Sequence, residues 1–391
     1  MRRRIIAILL ALITAVGVVP ARAILSVESI PAAFDQLLRA PLLANPAMIL
    51  IDGTTGETVY ERNSFSQRKP ASLMKILSGV AVLKHLDPDS VFTTQISLGV
   101  KEKNLVIQGS YDPWISLSHS VARKMKRESL PYLAFNSMSA LQKVNGGSLK
   151  NITVMYSGLY SKDVSNLRSF WARRGFKPTM KAVSSEVASF NSTSYVVGDS
   201  SPPLSHILDY MVKWSDNQLA DRLARLSARA AGYSFNQTGV ALTFSEILTN
   251  FEIDPTKLVA ADASGLSKEN RITAQIMGQL LFKIRNDAIF KRFYESLPIS
   301  GVSGTLQSRF LTTAPSAIGL VRAKTGTLNG TVTLAGYVES KDREYIFVTL
   351  ADEIPRGNKS GSKVRDAIDR ILGRIAAPNI PAEISEADSI P

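Results

Sequence analysis

Two hydrophobic periods alternate along the chain, and the switches between them mark out its elements. Apolar Leu73, Ile76, Leu77, Val80, Val82 and Leu83 recur at helical spacing, which predicts a helix that begins beside Pro70 and runs to about His85. Residues 130–144, 204–229, 244–251, 273–285 and 362–375 share that period, with a shorter case at 33–39. Strand-like runs occupy 48–52 and 58–60, joined as a hairpin through Gly53-Thr54-Thr55-Gly56. Further runs lie at 92–96, 104–107, 149–156, 331–338 and 344–350. At Ser215-Asp216-Asn217 the helical pattern breaks; short polar side chains compete for backbone hydrogen bonds, so a turn between two helices is expected. Residues 161–194 are polar and weakly patterned. They read as a solvated loop or insert or, through Arg173, Arg174, Lys177 and Lys181, as a basic lip for an anionic polymer. Residues 376–391 are acidic and proline-rich and are expected to be a disordered tail.

Composition narrows the chemistry. With 391 residues, 45% of them hydrophobic, the chain can bury a large core and form more than one domain. Cysteine is absent, which excludes disulfides, thiolate metal sites and cysteine nucleophiles. The histidines, His85, His119 and His206, are scattered and show no ligand spacing. The net charge of +13 is not organised into basic runs with interleaved aromatics, so no nucleic-acid partner is expected. Residues 1–23 read as an export signal: Arg2-Arg3-Arg4, an apolar stretch over 5–19, then Pro20-Ala21-Arg22-Ala23 for cleavage. That stretch is shorter than a bilayer span. A periplasmic protein is expected, with an uncleaved anchor as the other reading of the segment and peripheral membrane contact left open.

Three short motifs carry candidate chemistry. Ser72 and Lys75 are three residues apart and share one helix face, so a lysine that loses its charge could accept the serine proton. Ser72 at a helix start also meets a dipole that favours developing negative charge. Ser215-Asp216-Asn217 sits in the inter-helix turn, and Lys324-Thr325-Gly326-Thr327 precedes the last strand pair and could clamp an anion. Glu246 and Asn250 superficially suggest a hydrolytic pair but fit an amphipathic helix with a surface carboxylate. Each motif alone is common; the ordered trio is specific and is the active-site set of penicillin-binding proteins and β-lactamases.

Over about residues 45–370 the chain resembles the D-alanyl-D-alanine carboxypeptidase/endopeptidase family of low-molecular-mass penicillin-binding proteins, the insert-containing class. Asp262-Ala263-Ser264-Gly265-Leu266-Ser267, Asn270-Arg271-Ile272-Thr273 and Gly304-Thr305-Leu306 agree with it as well as the three motifs. The resemblance implies an α+β transpeptidase fold with an antiparallel five-stranded sheet flanked by helices. It implies a catalytic domain from 24–96 and 199–375 and a small inserted domain at 97–198. The stretch from Lys75 to Ser215 is short for the family, and Tyr156-Ser157 stands where relatives often carry an aspartate, which leaves the peptide's third residue undetermined. Implied roles are Ser72 as nucleophile, Lys75 as base and Ser215 as proton relay, in contact with both Lys75 and Lys324. Asn217, Lys324, Thr325, Gly326 and Thr327 bind substrate, and no metal or cofactor takes part. Implied partners are peptidoglycan peptides ending in D-Ala-D-Ala and β-lactam antibiotics. A serine β-lactamase and a non-catalytic peptidoglycan-binding protein remain the alternatives.

Overall fold

The computed structural model describes residues 25–378; the stretch read as an export signal and most of the stretch read as an acidic tail lie outside them. In chain order the strands are β1 (Ala47–Asp52), β2 (Thr58–Arg62), β3 (Thr93–Gly99), β4 (Asn104–Gly109), β5 (Thr153–Ser157), β6 (Thr179–Ala182), β7 (Ser192–Ser200), β8 (Val321–Leu328), β9 (Thr331–Ser340) and β10 (Arg343–Ala351). They form two five-stranded sheets. The first, in the order β2-β1-β10-β9-β8, is antiparallel throughout. The second, β6-β5-β4-β3-β7, pairs β4, β5 and β6 in parallel and β3 antiparallel to both neighbours.

Alternation along the first sheet divides its two cores. Ala47, Ile49 and Ile51 of β1 join Ile346, Val348 and Leu350 of β10 on one face, under helices Met74–His85, Leu204–Trp214, Asn217–Ala230, Gln237–Asn250 and Ala274–Arg285. Met48 and Leu50 face the other way, with Phe347, and are covered by helices Ile30–Leu38 and Asn358–Leu372. Met74–His85 is buried almost all round, from Met74 to Leu83, which is why its hydrophobic pattern is so dense.

Two expectations need correction. The polar stretch after Ser161 is not a loop: Ser161–Ala172 is a helix whose Val164, Leu167 and Trp171 are buried, and β6, helix Ser185–Phe190 and β7 follow. Arg173, Arg174, Lys177 and Lys181 are exposed beyond that helix. The tail begins later than 376, because Ala376 and Ala377 are buried and the Ala377 N–H donates to the Glu339 carbonyl at 3.0 Å. Among the described residues no helix is long and apolar enough to cross a membrane.

Candidate active site

Ser72 lies in a tight turn, Ala71–Leu73, that runs directly into helix Met74–His85. The turn is pinned from three sides. Thr333 of β9 donates its hydroxyl to the Pro70 carbonyl at 2.9 Å. A Cβ on Gly326 would stand 2.2 Å from Thr333 Oγ1 and 2.9 Å from the Pro70 oxygen. One on Gly265, whose φ is +84°, would stand 1.7 Å from the Ala71 oxygen. Both glycines are therefore there because other backbone approaches too closely for a side chain.

Lys75 is fully buried and donates to Ser72 Oγ at 3.0 Å, Asn217 Oδ1 at 2.7 Å and the Ser264 carbonyl at 2.6 Å. Burial lowers its pKa to about 8, against the pull of Asp221, Asp262 and Asp216. Asn217 reaches it from the first position of helix Asn217–Ala230, whose start is capped by Asp216 accepting from the Leu219 N–H at 2.9 Å. Ser215 occupies the break between the two helices at φ 61°, a left-handed conformation uncommon for a side chain with a Cβ. Lys324 of β8, also fully buried, donates to Ser215 Oγ at 2.7 Å and to the Thr325 carbonyl at 3.0 Å. Burial first, and then the charge of Lys75, hold Lys324 well below the ordinary lysine range.

The three motifs are thus brought to one place, with a difference in detail. The Ser215 hydroxyl is bonded to Lys324; the expected contact with Lys75 is not a hydrogen bond, and Lys75 is held instead by Asn217 and Ser264. Thr325 Oγ1 lies 2.8 Å from Thr305 Oγ1, while Thr327 is exposed at the sheet edge. Strand alternation puts Lys324 and Gly326 on the face of the Ser72 helix and Thr325 and Thr327 on the opposite face.

Two contributors lacked any assigned role at the sequence level. The loop after Ala261 presents the Ser264 carbonyl to Lys75, and Asp262 organises that loop by accepting from the Gly265, Ser267 and Asn270 N–H groups at 2.6, 2.5 and 3.0 Å. Thr305 is the other. The signals were the Asp262–Ser267 stretch with Asn270 after it, and the Gly304-Thr305-Leu306 stretch. Glu246 lies on helix Gln237–Asn250 near Tyr233, whose pKa it raises, and near His85 at the far end of the Ser72 helix, away from this cluster. His119 bonds Ser129 beside the second sheet.

That second sheet is tied to the site through one buried ion pair. Arg222, on the helix that begins with Asn217, meets Asp163 of helix Ser161–Ala172 at 2.9 Å, both side chains almost wholly covered.

The fold and this cluster define a serine peptidase of the low-molecular-mass penicillin-binding class. The chain belongs to the D-Ala-D-Ala carboxypeptidase 3 (S13) family, whose sequence pattern matches residues 30–139 and 160–375. It is 26% identical over 381 residues to carboxypeptidase DacB of Mycolicibacterium smegmatis, covering 85% of this chain and 81% of that one. It is 34% identical over 164 residues to the D-alanyl-D-alanine carboxypeptidase DacB of Haemophilus influenzae, covering 40% of this chain and 33% of the relative. Penicillin-binding protein 4 from Haemophilus influenzae shares the fold, with a TM-score of 0.66 at 17% identity over 89% of this chain and 98% of that one.

Proposed function

We propose that the chain removes or cleaves at the terminal D-Ala of peptidoglycan stem peptides through an acyl-enzyme on Ser72, and that penicillins trap the same serine. Ser72 Oγ adds to the carbonyl of the penultimate D-Ala while Lys75 takes its proton. The Ser72 and Thr327 backbone N–H groups stabilise the oxyanion, where one donor is typically worth ~3 kcal/mol. The C–N bond then breaks, and Ser215, its hydroxyl held by Lys324, passes a proton to the leaving nitrogen. Asn217 orients the substrate amide; Lys324, Thr325 and Thr327 hold the terminal carboxylate across Gly326. Water releases the acyl group.

The observation that carries this reading is the lysine at 3.0 Å from a serine hydroxyl, buried and lowered to about 8, so that it can act as a base near neutrality. Glu246, the carboxylate considered for rapid deacylation, lies by Tyr233 and His85 and not by Ser72; a stable penicillin adduct is therefore expected rather than lactamase turnover. The reading places the mature protein in the periplasm after export through residues 1–23. It also treats 97–198 as an insert within a catalytic domain formed from 24–96 and 199–375. Without the four arginines of residues 1–23 the net charge is still +9, which suits contact with anionic envelope surfaces.

The test is labelling by a fluorescent penicillin with intact-mass analysis. Wild type should gain one penicillin and Ser72→Ala none; equal labelling of both would sink the assignment.

A further inference from the structure

Beside Thr327 the structure holds a cavity of about 570 Å³, bounded by the β8–β9 turn at Leu328, Asn329 and Gly330 and by Arg356 and Arg365 across from it. This volume suits a small peptide fragment. No carboxylate lines it, and among the described residues neither arginine forms an ion pair. Gly361 of the last helix faces the same cleft: a Cβ there would make ordinary contact with an Arg365 guanidinium nitrogen at 3.6 Å and with Val332 of β9 at 3.9 Å. Two unpaired guanidinium groups facing one cleft fit planar anions, since their forked donors match a carboxylate.

Its position on the sheet assigns it a side of the reaction. Thr327 pairs with Val332, and both project onto the face opposite Lys324, where Thr325 also lies. The cavity therefore continues the face that carries the two threonines of the carboxylate grip, and not the face of the Ser72 helix. In the mechanism above that grip holds the leaving group.

From this placement we propose that the Arg356–Arg365 cavity is a leaving-group subsite that takes an additional carboxylate. Its ligand is a peptide whose amine is joined to the D-Ala carbonyl and which carries a second acidic group beyond the one held at Thr325 and Thr327. Such leaving groups belong to cross-linked chains, so the subsite favours cleavage between two peptides over release of a single D-Ala. The inference rests on the proposed function only for the direction in which the substrate lies; anion binding at the cavity stands apart from turnover.

The test uses full-length protein and two synthetic peptides, identical except that the leaving residue carries either a free side-chain carboxylate or its amide. Both are titrated calorimetrically into the Ser72→Ala protein, with and without Arg356→Ala and Arg365→Ala together. The carboxylate peptide should bind about tenfold more tightly, as for one charge-assisted contact in a solvated cleft, and the double replacement should abolish that advantage. In the Ser72 enzyme the same double replacement should raise KM for the carboxylate peptide while leaving kcat for D-Ala release and the rate of penicillin labelling unchanged. Equal binding of the two peptides, or a preference that survives loss of both arginines, overturns the subsite. Absence of a penicillin adduct on wild type would instead overturn the nucleophile assignment, and the titration would still decide the cavity.

Discussion

Replacing Asp221 with asparagine is expected to make Ser72 more reactive below neutrality. Asp221 is the strongest of the charges that keep Lys75 protonated, opposing the burial that brings it to about 8. At that value about 10% of Lys75 is neutral at pH 7, roughly 300-fold more than an ordinary lysine would supply. The asparagine keeps an oxygen for the Ala263 N–H, which Asp221 accepts at 3.1 Å, so the loop behind Lys75 should stay in place. What disappears is a negative charge with no direct bond to the ammonium. Taken as on the order of 1 kcal/mol, the size of a modest, partly screened charge–charge effect, that loss lowers Lys75 by about 0.7 of a pH unit. Well below pH 8 the neutral fraction then rises about fivefold, and the plateau above pH 9 does not change. The assay is the second-order rate of acylation by a fluorescent penicillin from about pH 5.5 to 9.5, the window that brackets Lys75. An acid limb that stays put or moves to higher pH would refute the reasoning, because it would mean that neutral Lys75 is not the base or that Asp221 does not act on it through charge.

Lys75→Met should abolish acylation yet raise the melting temperature at pH 7. Lys75 has a lowered pKa in the folded state, so its burial penalty is fully present below about 8 and fades towards its ordinary value; that relief is worth at most ~3 kcal/mol, less the three hydrogen bonds lost. A lower melting temperature would show that those hydrogen bonds outweigh desolvation. Gly326→Ala should cost both stability, by about 1–3 kcal/mol, and acylation, because its Cβ would collide with Thr333 and Pro70 and push the nucleophile turn away; an unchanged penicillin rate would contradict the packing. Asp112, pushed up to about 7 mainly by burial and then by Asp163, contributes stability that is full below its ordinary value and lost as the pH rises through 7. Asp112→Asn should therefore raise the melting temperature at pH 8 and leave it unchanged at pH 4, and parallel pH profiles for the two proteins would count against it.

The Ser72–Lys75 pair, the inter-helix turn and the lysine strand were legible because each depends on residues close in sequence. Ser72 and Lys75 share a turn of helix, and Asp216 caps the helix it precedes. Strong hydrophobic periods likewise located helices Leu130–Val144 and Ala274–Arg285 and the strand pair β9–β10. What escaped was structure whose burial is thin or whose role lies in the backbone. Helix Ser161–Ala172 buries only a narrow apolar stripe, Val164, Leu167 and Trp171, beside the buried Asp163, and the polar residues around it hide the period. Strands β6 and β7 are the edges of their sheet and leave most side chains to solvent, so neither shows an alternating apolar pattern. Ser264 acts through its carbonyl, which any residue could supply; only the Asp262 and Asn270 side chains that shape its loop could betray it.

The two buried lysines explain why the fold must be as closed as it is around Ser72. An ammonium left dry without partners would simply lose its proton and its grip on neighbouring groups, so each lysine is given specific oxygens: Ser72, Asn217 and Ser264 for Lys75, and Ser215 and the Thr325 carbonyl for Lys324. These acceptors come from segments far apart in sequence, joined only when β8 lies beside the nucleophile turn. The antiparallel register that pairs Gly326 with Thr333, and Thr333's bond to Pro70, set that distance. Because the charge of Lys75 depresses Lys324, the pair resists double protonation; in the proposed mechanism a proton arriving on Lys75 from Ser72 would raise the tendency of Lys324 to give one up through Ser215. On that proposal, proton uptake on the nucleophile side and proton delivery on the leaving side would be coupled by the same burial that costs the fold stability.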